Sequence, residues 1–262
     1  MAQNQKDPKA SFEASFLPEI KEKLFLVKKS MGFPSKVGAY CLNGTRVIAW
    51  VECGTGELHD GPGGIRCMYR PGLFVRKPDF SPLGVYRIRV RENKDRPTDH
   101  MIVKVLGKAE DPRLQAIAEE YRKPVTMETA LGTFELDRDY DEYRGETDWL
   151  GERISVYLDV EEGKTDAGRA LRQLERICAD PARFDAAVRA YIAADETLWD
   201  WLEDGEYERE GFEQRIGLPS LMIGADGEAG VWFDGGDPFG GHSIVVSVDE
   251  NGAFTGIDLV II

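Results

Sequence analysis

The sequence predicts an α+β protein: a small N-terminal β-barrel-like domain, then an antiparallel sheet with helices packed on one face. Three observations predict this class. Five or so short strand patterns follow one another between residues 36 and 107. Two helix patterns stand between strand patterns in the second half of the chain. The 262 residues, 42% of them hydrophobic, suffice for one large or two ordinary domains.

The chain divides into three predicted parts. Residues 1–35 are predicted to form a helical arm, because apolar residues recur at four-residue spacing in SFEASFLPEIKEKLFLVKKS. Residues 36–127 are predicted to form the small β-rich domain with a closing helix. Residues 128–262 are predicted to form the acidic α+β domain, because the composition shifts near residues 124–130.

Turn and capping signals set the expected elements of the first half. Asn43-Gly44, between KVGAYCL and RVIAWVEC, predicts a two-residue hairpin turn. The glycines and proline of GTGELHDGPGG predict a long loop. Asp111 followed by Pro112 predicts the start of the closing helix.

The segment GVYRIRVRE alternates strictly between apolar and basic side chains. Arg87, Arg89 and Arg91 are expected on one face of this strand. A basic strand on a small barrel is one form of single-strand nucleic-acid platform. The aromatic Tyr86 points away from the arginines, so a solvated or domain-docking face is the favoured interpretation and nucleic-acid binding the alternative.

The second half predicts strands, then helices, then strands. LGTFELD and ERISVYLDV are expected strands, joined through RDYDEYRGETDWLG. Helices are expected over 165–179 and from Asp180-Pro181, where a cap precedes a proline at the first helical position. The expected closing strands are SLMIG, GVWFD, HSIVVSV and FTGIDLVII.

The compartment is expected to be the cytoplasm. MAQNQKDPKASF lacks the pattern of a signal peptide, and apolar runs stay far below the roughly 20 residues that span a bilayer. The cysteines form no CxxC pair and are expected as reduced thiols, without a metal or cofactor. They are Cys41, Cys53, Cys67 and Cys178.

Charge is divided unevenly along the chain. Residues 1–127 carry 22 Lys and Arg against 15 Asp and Glu, a net charge of +7. Residues 128–262 carry 11 against 32, a net charge of −21. One interpretation is two solvated surfaces whose attraction helps the halves dock. The other is an acidic half that binds a basic partner.

The segment DETLWDWLEDGEYEREGFE, residues 195–213, mixes aromatic and acidic side chains. It could be a solvated helix end. Aromatic side chains among carboxylates also suit contact with a basic partner. The candidate contact residues are Trp201, Glu203, Asp204 and Tyr207.

The stretch WFDGGDPFGGHSIVV holds the candidates for chemistry. Asp234 is expected roughly opposite His242 across a glycine-rich loop, and Asp237 starts a turn. We favour a structural turn, because no nucleophile accompanies the histidine and no metal-ligand spacing occurs. A partner contact and a hydrolase using Asp234, Asp237 and His242 remain the alternatives.

Two segments of the second half resemble the uncharacterised bacterial domain-of-unknown-function family 2262. They are LGTFELDRDYDEYRGETDWLGERISVYL, with its Trp149, and DPFGGHSIVVSVDENGAFTGIDL. Gly240 departs from the aromatic residue that the family usually places there. The first half resembles a companion domain of that family. Members look like small acidic proteins found beside bacterial toxins, which implies a toxin-neutralising, immunity-type role.

The predicted function is therefore non-enzymatic protein binding in a bacterial cytoplasm, with no membrane association. The acidic domain is expected to engage a basic protein, because no complete catalytic constellation is present. A hydrolase and a nucleic-acid-binding protein are the alternatives.

Overall fold

The protein is described by a computed structural model that covers residues 7–72, 78–199, 211–236 and 239–261. The chain divides into two compact units, Met1–Lys123 and Pro124–Ile262. Both units are built around sheets, and helices belong to each, so the α+β class is confirmed. In the described part of the chain, no helix combines the length and the apolar character needed to cross a bilayer.

A six-stranded sheet forms the N-terminal unit, in the order β1-β5-β6-β4-β3-β2. Strand β1 also pairs with β3, so the strands form a near-ring of hydrogen bonds rather than a true barrel. A cluster of buried apolar side chains that includes Phe25, Ile65 and Ile88 packs together in this unit. The elements are α1 (Pro8–Ala14), β1 (Lys21–Val27), β2 (Ser35–Val37), β3 (Tyr40–Glu52), β4 (Leu58–Tyr69), β5 (Val85–Glu92), β6 (Asp99–Lys108) and α2 (Pro112–Arg122).

The prediction of a helical arm is wrong beyond Ala14. Helix α1 ends at Ala14, and Lys21–Val27 form strand β1. The segment KEKLFLV pairs with β3 on one side and with β5 on the other, and this tertiary pairing outweighs the four-residue spacing of apolar residues. The strand is therefore part of the β-rich unit.

Two expected loops of the first half are strand instead. Asn43-Gly44 lies within β3, where Gly44 pairs with Arg66 and the Asn43 side chain accepts a bond from the Gly44 amide at 2.9 Å. In the glycine-rich stretch only residues 54–57 connect the strands, and from Leu58 onward it forms β4. Glycine suits it because a Cβ at Gly63 would lie 2.6 Å from the Thr98 carbonyl oxygen.

Helix α2 begins as the sequence predicts. The Asp111 carboxylate accepts bonds from the amides of Arg113 and Leu114, and Pro112 occupies the first helical position. Leu114 and Ala118 are buried in a second apolar cluster together with Leu26 of β1. The helix therefore covers the sheet on the side away from the Phe25 cluster.

An eight-stranded sheet forms the C-terminal unit, in the order β14-β13-β12-β11-β10-β9-β8-β7. Every neighbouring pair is antiparallel except β10 and β11, because a helical crossover joins these two strands. The strands are β7 (Thr126–Thr129), β8 (Gly132–Asp137), β9 (Glu142–Trp149), β10 (Glu152–Asp159), β11 (Ser220–Ile223), β12 (Ala229–Asp234), β13 (Ser243–Val248) and β14 (Phe254–Val260). The helices are α3 (Gly168–Cys178), α4 (Pro181–Ala194), α5 (Glu196–Trp199) and α6 (Phe212–Arg215).

One face of this sheet packs on helices, as the sequence predicts. Leu174 of α3 and Val188 of α4 are fully buried against Val156, Val231 and Val246 of the strands. Strand β9 was not expected; it lies in the segment predicted only as a connection. Gly145 of β9 leaves room for Phe134 of β8, since a Cβ there would lie 2.5 Å from the Phe134 ring.

Candidate functional site

The sheet face opposite α3 and α4 has an apolar centre. Tyr157, Met222, Trp232 and Val245 lie on this face in neighbouring strands, and none belongs to the core cluster. Met222 is 37% exposed, although large apolar side chains are usually covered. The Trp232 indole lies over Gly230, where a Cβ would come within 3.1 Å of Nε1. The glycine therefore allows the indole to lie flat on the sheet.

Carboxylates surround this centre. We name the whole surface the acidic face. Within the described ranges, Glu135, Asp234 and Asp258 have no ion-pair partner within 4 Å. Its two arginines are already engaged: Arg144 with Asp137 and Glu142, and Arg153 with Glu146. The exposed carboxylates of the face are Glu128, Glu135, Glu146, Asp148, Asp234 and Asp258.

Asp159, at the end of β10, has a pKa above its ordinary value. Burial raises the pKa of Asp159, and the carboxylates of Glu142 and Asp226 raise it further. Asp159 lies directly opposite Glu142 in the β9–β10 ladder. Like charges in register are unfavourable, and the ion pair of Glu142 with Arg144 offsets this repulsion in part.

The glycine-rich loop after β12 is tied together by backbone contacts. Asp234 pairs with Ser243, and its carboxylate accepts a bond from the Gly236 amide at 2.9 Å. His242 Nδ1 lies 2.6 Å from the Phe239 carbonyl oxygen, so Nδ1 carries the proton and donates it. No hydrogen bond joins Asp234 to His242, although the structure describes both. The Phe239 side chain is buried and contacts the Phe212 ring edge-on at 5.4 Å.

Replacing His242 with Ala is expected to destabilise the C-terminal unit by about 1 kcal/mol, the usual contribution of one hydrogen bond. For a chain of this size that corresponds to a fall of roughly 2–4 °C in Tm. Thermal melts of the wild type and His242→Ala, with and without divalent metals, measure it. An unchanged Tm, or stabilisation of the wild type by a metal, would contradict the structural role.

The arginine strand places its guanidinium groups as predicted, but each group has a partner within the unit. Arg87 and Arg89 are about half exposed and share the Glu22 carboxylate at 2.9 and 3.2 Å. Arg91 donates to the carbonyl oxygens of Leu17, Phe16 and Glu13 at the end of α1. Tyr86, Ile88 and Val90 are buried on the other side of the strand, which confirms the predicted alternation.

Several predicted site residues lie outside the described residues. These are the partner-contact candidates Trp201, Glu203, Asp204 and Tyr207, and the loop residue Asp237. Their roles stay predictions. In the ranges that are described, no group of three or more His, Cys, Asp or Glu side chains could hold a metal ion.

A buried charge cluster in the N-terminal unit was not found from the sequence. Lys23 of β1 is 1% exposed, and its Nζ lies 2.7 Å from both Glu52 Oε1 and Glu92 Oε1. The same Nζ lies 2.9 Å from Nε2 of His100, which is fully buried. We name Lys23, Glu52, Glu92 and His100 the buried charge cluster.

The electrostatics of this cluster follow from its pairing. Burial alone would raise the pKa of Glu92, but the hydrogen bonds from Lys23 and Lys21 outweigh burial and lower the pKa. Burial, and then the Lys23 charge, lower the pKa of His100 to about 4. The three N–H groups of Lys23 match three acceptors, so this amine has no hydrogen left to offer a substrate.

A cavity of about 470 Å³ lies beside the cluster. His59 lines it and stacks on Trp50 with ring centroids 5.0 Å apart. Glu52 and Glu92 are the cluster members that reach its wall.

Sequence reasoning missed the cluster because its members come from four strands. A histidine next to an aspartate at the start of a strand is ordinarily found at the surface, but His100 is fully buried. One signal was present: Lys23 alternates with Phe25 and Val27, which are both fully buried. Its acceptors, however, are 29 to 77 positions away along the chain, and spacing cannot identify them.

Two family models match the chain, one within each compact unit. The family model described as "Uncharacterized protein conserved in bacteria (DUF2262)" matches residues 128–259. The chain belongs to the DUF2262 family. The DUF2262 match covers the C-terminal unit with its acidic face, and a second model, "Domain of unknown function (DUF7021)", matches residues 8–121. The predicted resemblance of both halves is thereby confirmed. No curated protein matches the chain.

Proposed function

We propose that this DUF2262 protein is a non-enzymatic protein-binding module whose acidic C-terminal domain engages a basic protein. One observation carries the proposal: exposed carboxylates surround an apolar centre on a sheet face that α3 and α4 do not cover. Interfaces commonly have such an apolar core with a polar rim. A toxin is the class of basic partner that the sequence resemblance suggests, with neutralisation as the role.

The carboxylates supply attraction and selection. A surface with one sign of charge raises the rate of encounter with an oppositely charged partner and repels the wrong ones. Because Glu135, Asp234 and Asp258 lack cationic partners within the described chain, an approaching Lys or Arg need not displace one from them. The negative potential that Glu142 and Asp226 produce at Asp159 also attracts a basic partner.

The apolar centre supplies the anchor. Tryptophan is enriched among the residues that dominate binding energy, especially at the centre of an interface. Trp232 lies between Ser220 of β11 and Val245 of β13 in the ladder, with Met222 on the adjacent row of side chains. A partner side chain that packs on Trp232 and Met222 would exclude water from both.

Binding to basic proteins encoded beside the gene tests the proposal. We expect at least one to bind, with an affinity that falls steeply as salt rises from low to high concentration. Trp232→Ala should weaken binding roughly 30-fold, which corresponds to about 2 kcal/mol. Isothermal titration calorimetry at several salt concentrations measures both effects.

Matched charge variants distinguish binding at the acidic face from attraction by the overall negative charge of the unit. Glu135→Gln with Asp258→Asn should weaken binding, whereas Glu175→Gln with Glu250→Gln removes the same charge elsewhere in the unit and should not. Lysozyme serves as a basic protein without a specific site. Equal loss in both double variants, or equal affinity for lysozyme, would reduce the interaction to nonspecific charge and contradict the proposal.

The two alternatives receive less support from the contacts. The hydrolase hypothesis needs a carboxylate to orient His242, and in the described chain His242 Nδ1 donates to the Phe239 carbonyl oxygen rather than to Asp234. The nucleic-acid hypothesis needs free guanidinium groups, and Arg87, Arg89 and Arg91 have partners within their own unit.

A further inference from the structure

The near-ring of the N-terminal unit is closed by one short pairing. Strands β4 and β6 pair over only three residue pairs, Gly64–Arg66 with Asp99–Met101. The other pairings that complete the ring extend over five or more residue pairs. We name this short parallel pairing the seam. Arg66 and Arg96 reinforce it through ion pairs with Asp99 at 3.1 and 3.3 Å.

His100 lies at the middle of the seam, opposite Ile65 of β4. Its Nε2 faces the Lys23 ammonium of β1 at 2.9 Å. Glu52 of β3 and Glu92 of β5 bind the same ammonium. The Phe25 and Trp50 rings contact the imidazole edge-on, at 5.1 and 5.3 Å between centroids. Besides the Arg66–Asp99 pair, the charged or titratable groups around this place are Lys21 of β1 and His59 of β4, which stacks on Trp50.

The seam can close only around a neutral imidazole. Nε2 must accept a hydrogen bond from the ammonium, so the single ring proton sits on Nδ1. A second proton would turn Nε2 into a donor that faces another donor, with two positive charges 2.9 Å apart in a buried place. The seam would lose its hydrogen bond to β1 and gain a repulsion.

We propose that the seam is a proton-sensitive clasp, in which protonation of His100 separates β4 from β6 while the other strand pairs of the near-ring stay formed. The direction of the effect follows from linkage. Burial and Lys23 lower the pKa of His100 from 6.5 to about 4 in the closed seam, against smaller opposing effects of the Gly64 backbone, Glu92 and the Thr98 backbone. The open seam, with an ordinary imidazole, binds the proton more tightly. Closure is therefore complete above pH 6.5 and weakens as the pH falls from 6.5 towards 4.

Hydrogen exchange of the full chain at pH 7 and pH 5 tests the clasp, with rates corrected for intrinsic exchange. Amides of 64–66 and 99–101 that donate across the seam, as the Gly64 amide does to the Thr98 carbonyl oxygen, should lose protection roughly 20-fold between these pH values, from the two pKa values of the linkage relation. Amides of the same residues that face β3 or β5 should keep theirs. Protection in the β1–β5 pairing and in the C-terminal unit should stay unchanged. A fall of the same size in every strand would mean global unfolding and would overturn the proposal.

Two further measurements assign the effect to His100. His100→Gln keeps an acceptor for Lys23 without a titratable ring, so the fall in seam protection should disappear; His59→Gln should keep it. If His100→Gln does not fold, nuclear magnetic resonance titration of the wild-type imidazole decides. A midpoint between 4 and 6.5 that accompanies seam opening supports the clasp. A midpoint near 6.5 with the seam closed, or an unchanged fall in a folded His100→Gln, overturns it.

Discussion

Lys23→Met is expected to destabilise the N-terminal unit by about 3–5 kcal/mol, as is typical when one partner of a buried ion pair is removed. The methionine fits the volume of the aliphatic stem but leaves Glu52 and Glu92 facing each other without their shared cation. It also removes the donor to His100. Chemical denaturation of the full chain, followed by hydrogen exchange in residues 7–123, measures the loss.

Lys21→Met is the matched control for this change. Lys21 lies on the same strand and contacts the same Glu92, at 3.0 Å, but its side chain is 36% exposed. Exposed pairs contribute little, so the cost should stay below about 1 kcal/mol. Adding Glu52→Gln and Glu92→Gln to Lys23→Met should recover part of the stability, because no unpaired charge then remains. Equal costs for Lys21→Met and Lys23→Met would contradict the buried charge cluster.

Phe239→Ala is expected to destabilise the C-terminal unit by about 3–5 kcal/mol, the usual cost of emptying a buried aromatic site. Phe239 is 5% exposed and belongs to the same core cluster as Phe212 and Phe233. Its carbonyl oxygen accepts bonds from both the backbone and the side chain of His242. Urea denaturation with the C-terminal unit as the readout measures the loss.

Tyr140→Ala provides the comparison for Phe239→Ala in the same unit. Tyr140 is 69% exposed, so its truncation should cost less than about 1 kcal/mol. A loop that served only as a ligand or partner contact would not need Phe239 in the core. Little or no loss of stability in Phe239→Ala would therefore contradict the structural account of the loop.

The fold could be predicted where local signals and tertiary pairing agree. Asp111-Pro112 and Asp180-Pro181 start helices because the cap and the fixed proline angle act within one turn. The predictions of a turn at Asn43-Gly44 and of a long glycine-rich loop did not hold, because continuous pairing between β3 and β4 outweighs the turn propensity of these residues. Strand β9 was missed since Gly145 stands where the alternation expected of a strand would place an apolar side chain.

The candidate sites were predictable only in part, for a similar reason. The sequence shows that the second half is acidic, but not which carboxylates share a face, because the order of eight strands decides it. Trp232 and Tyr157 were not singled out, as the parallel β10–β11 pairing that joins their regions spans a long crossover. The buried charge cluster depends on contacts among four strands, beyond the reach of spacing arguments.

Radical footprinting of a complex with a basic partner shows which surface of the protein the partner covers. Oxidation by hydroxyl radicals reports the solvent access of individual side chains, and Met and Trp react readily. Binding at the acidic face predicts that oxidation of Met222 and Trp232 falls sharply in the complex, while that of Met31 in the N-terminal unit does not change. Unchanged oxidation of Met222 and Trp232 in a saturated complex would show that the partner does not bind at the acidic face.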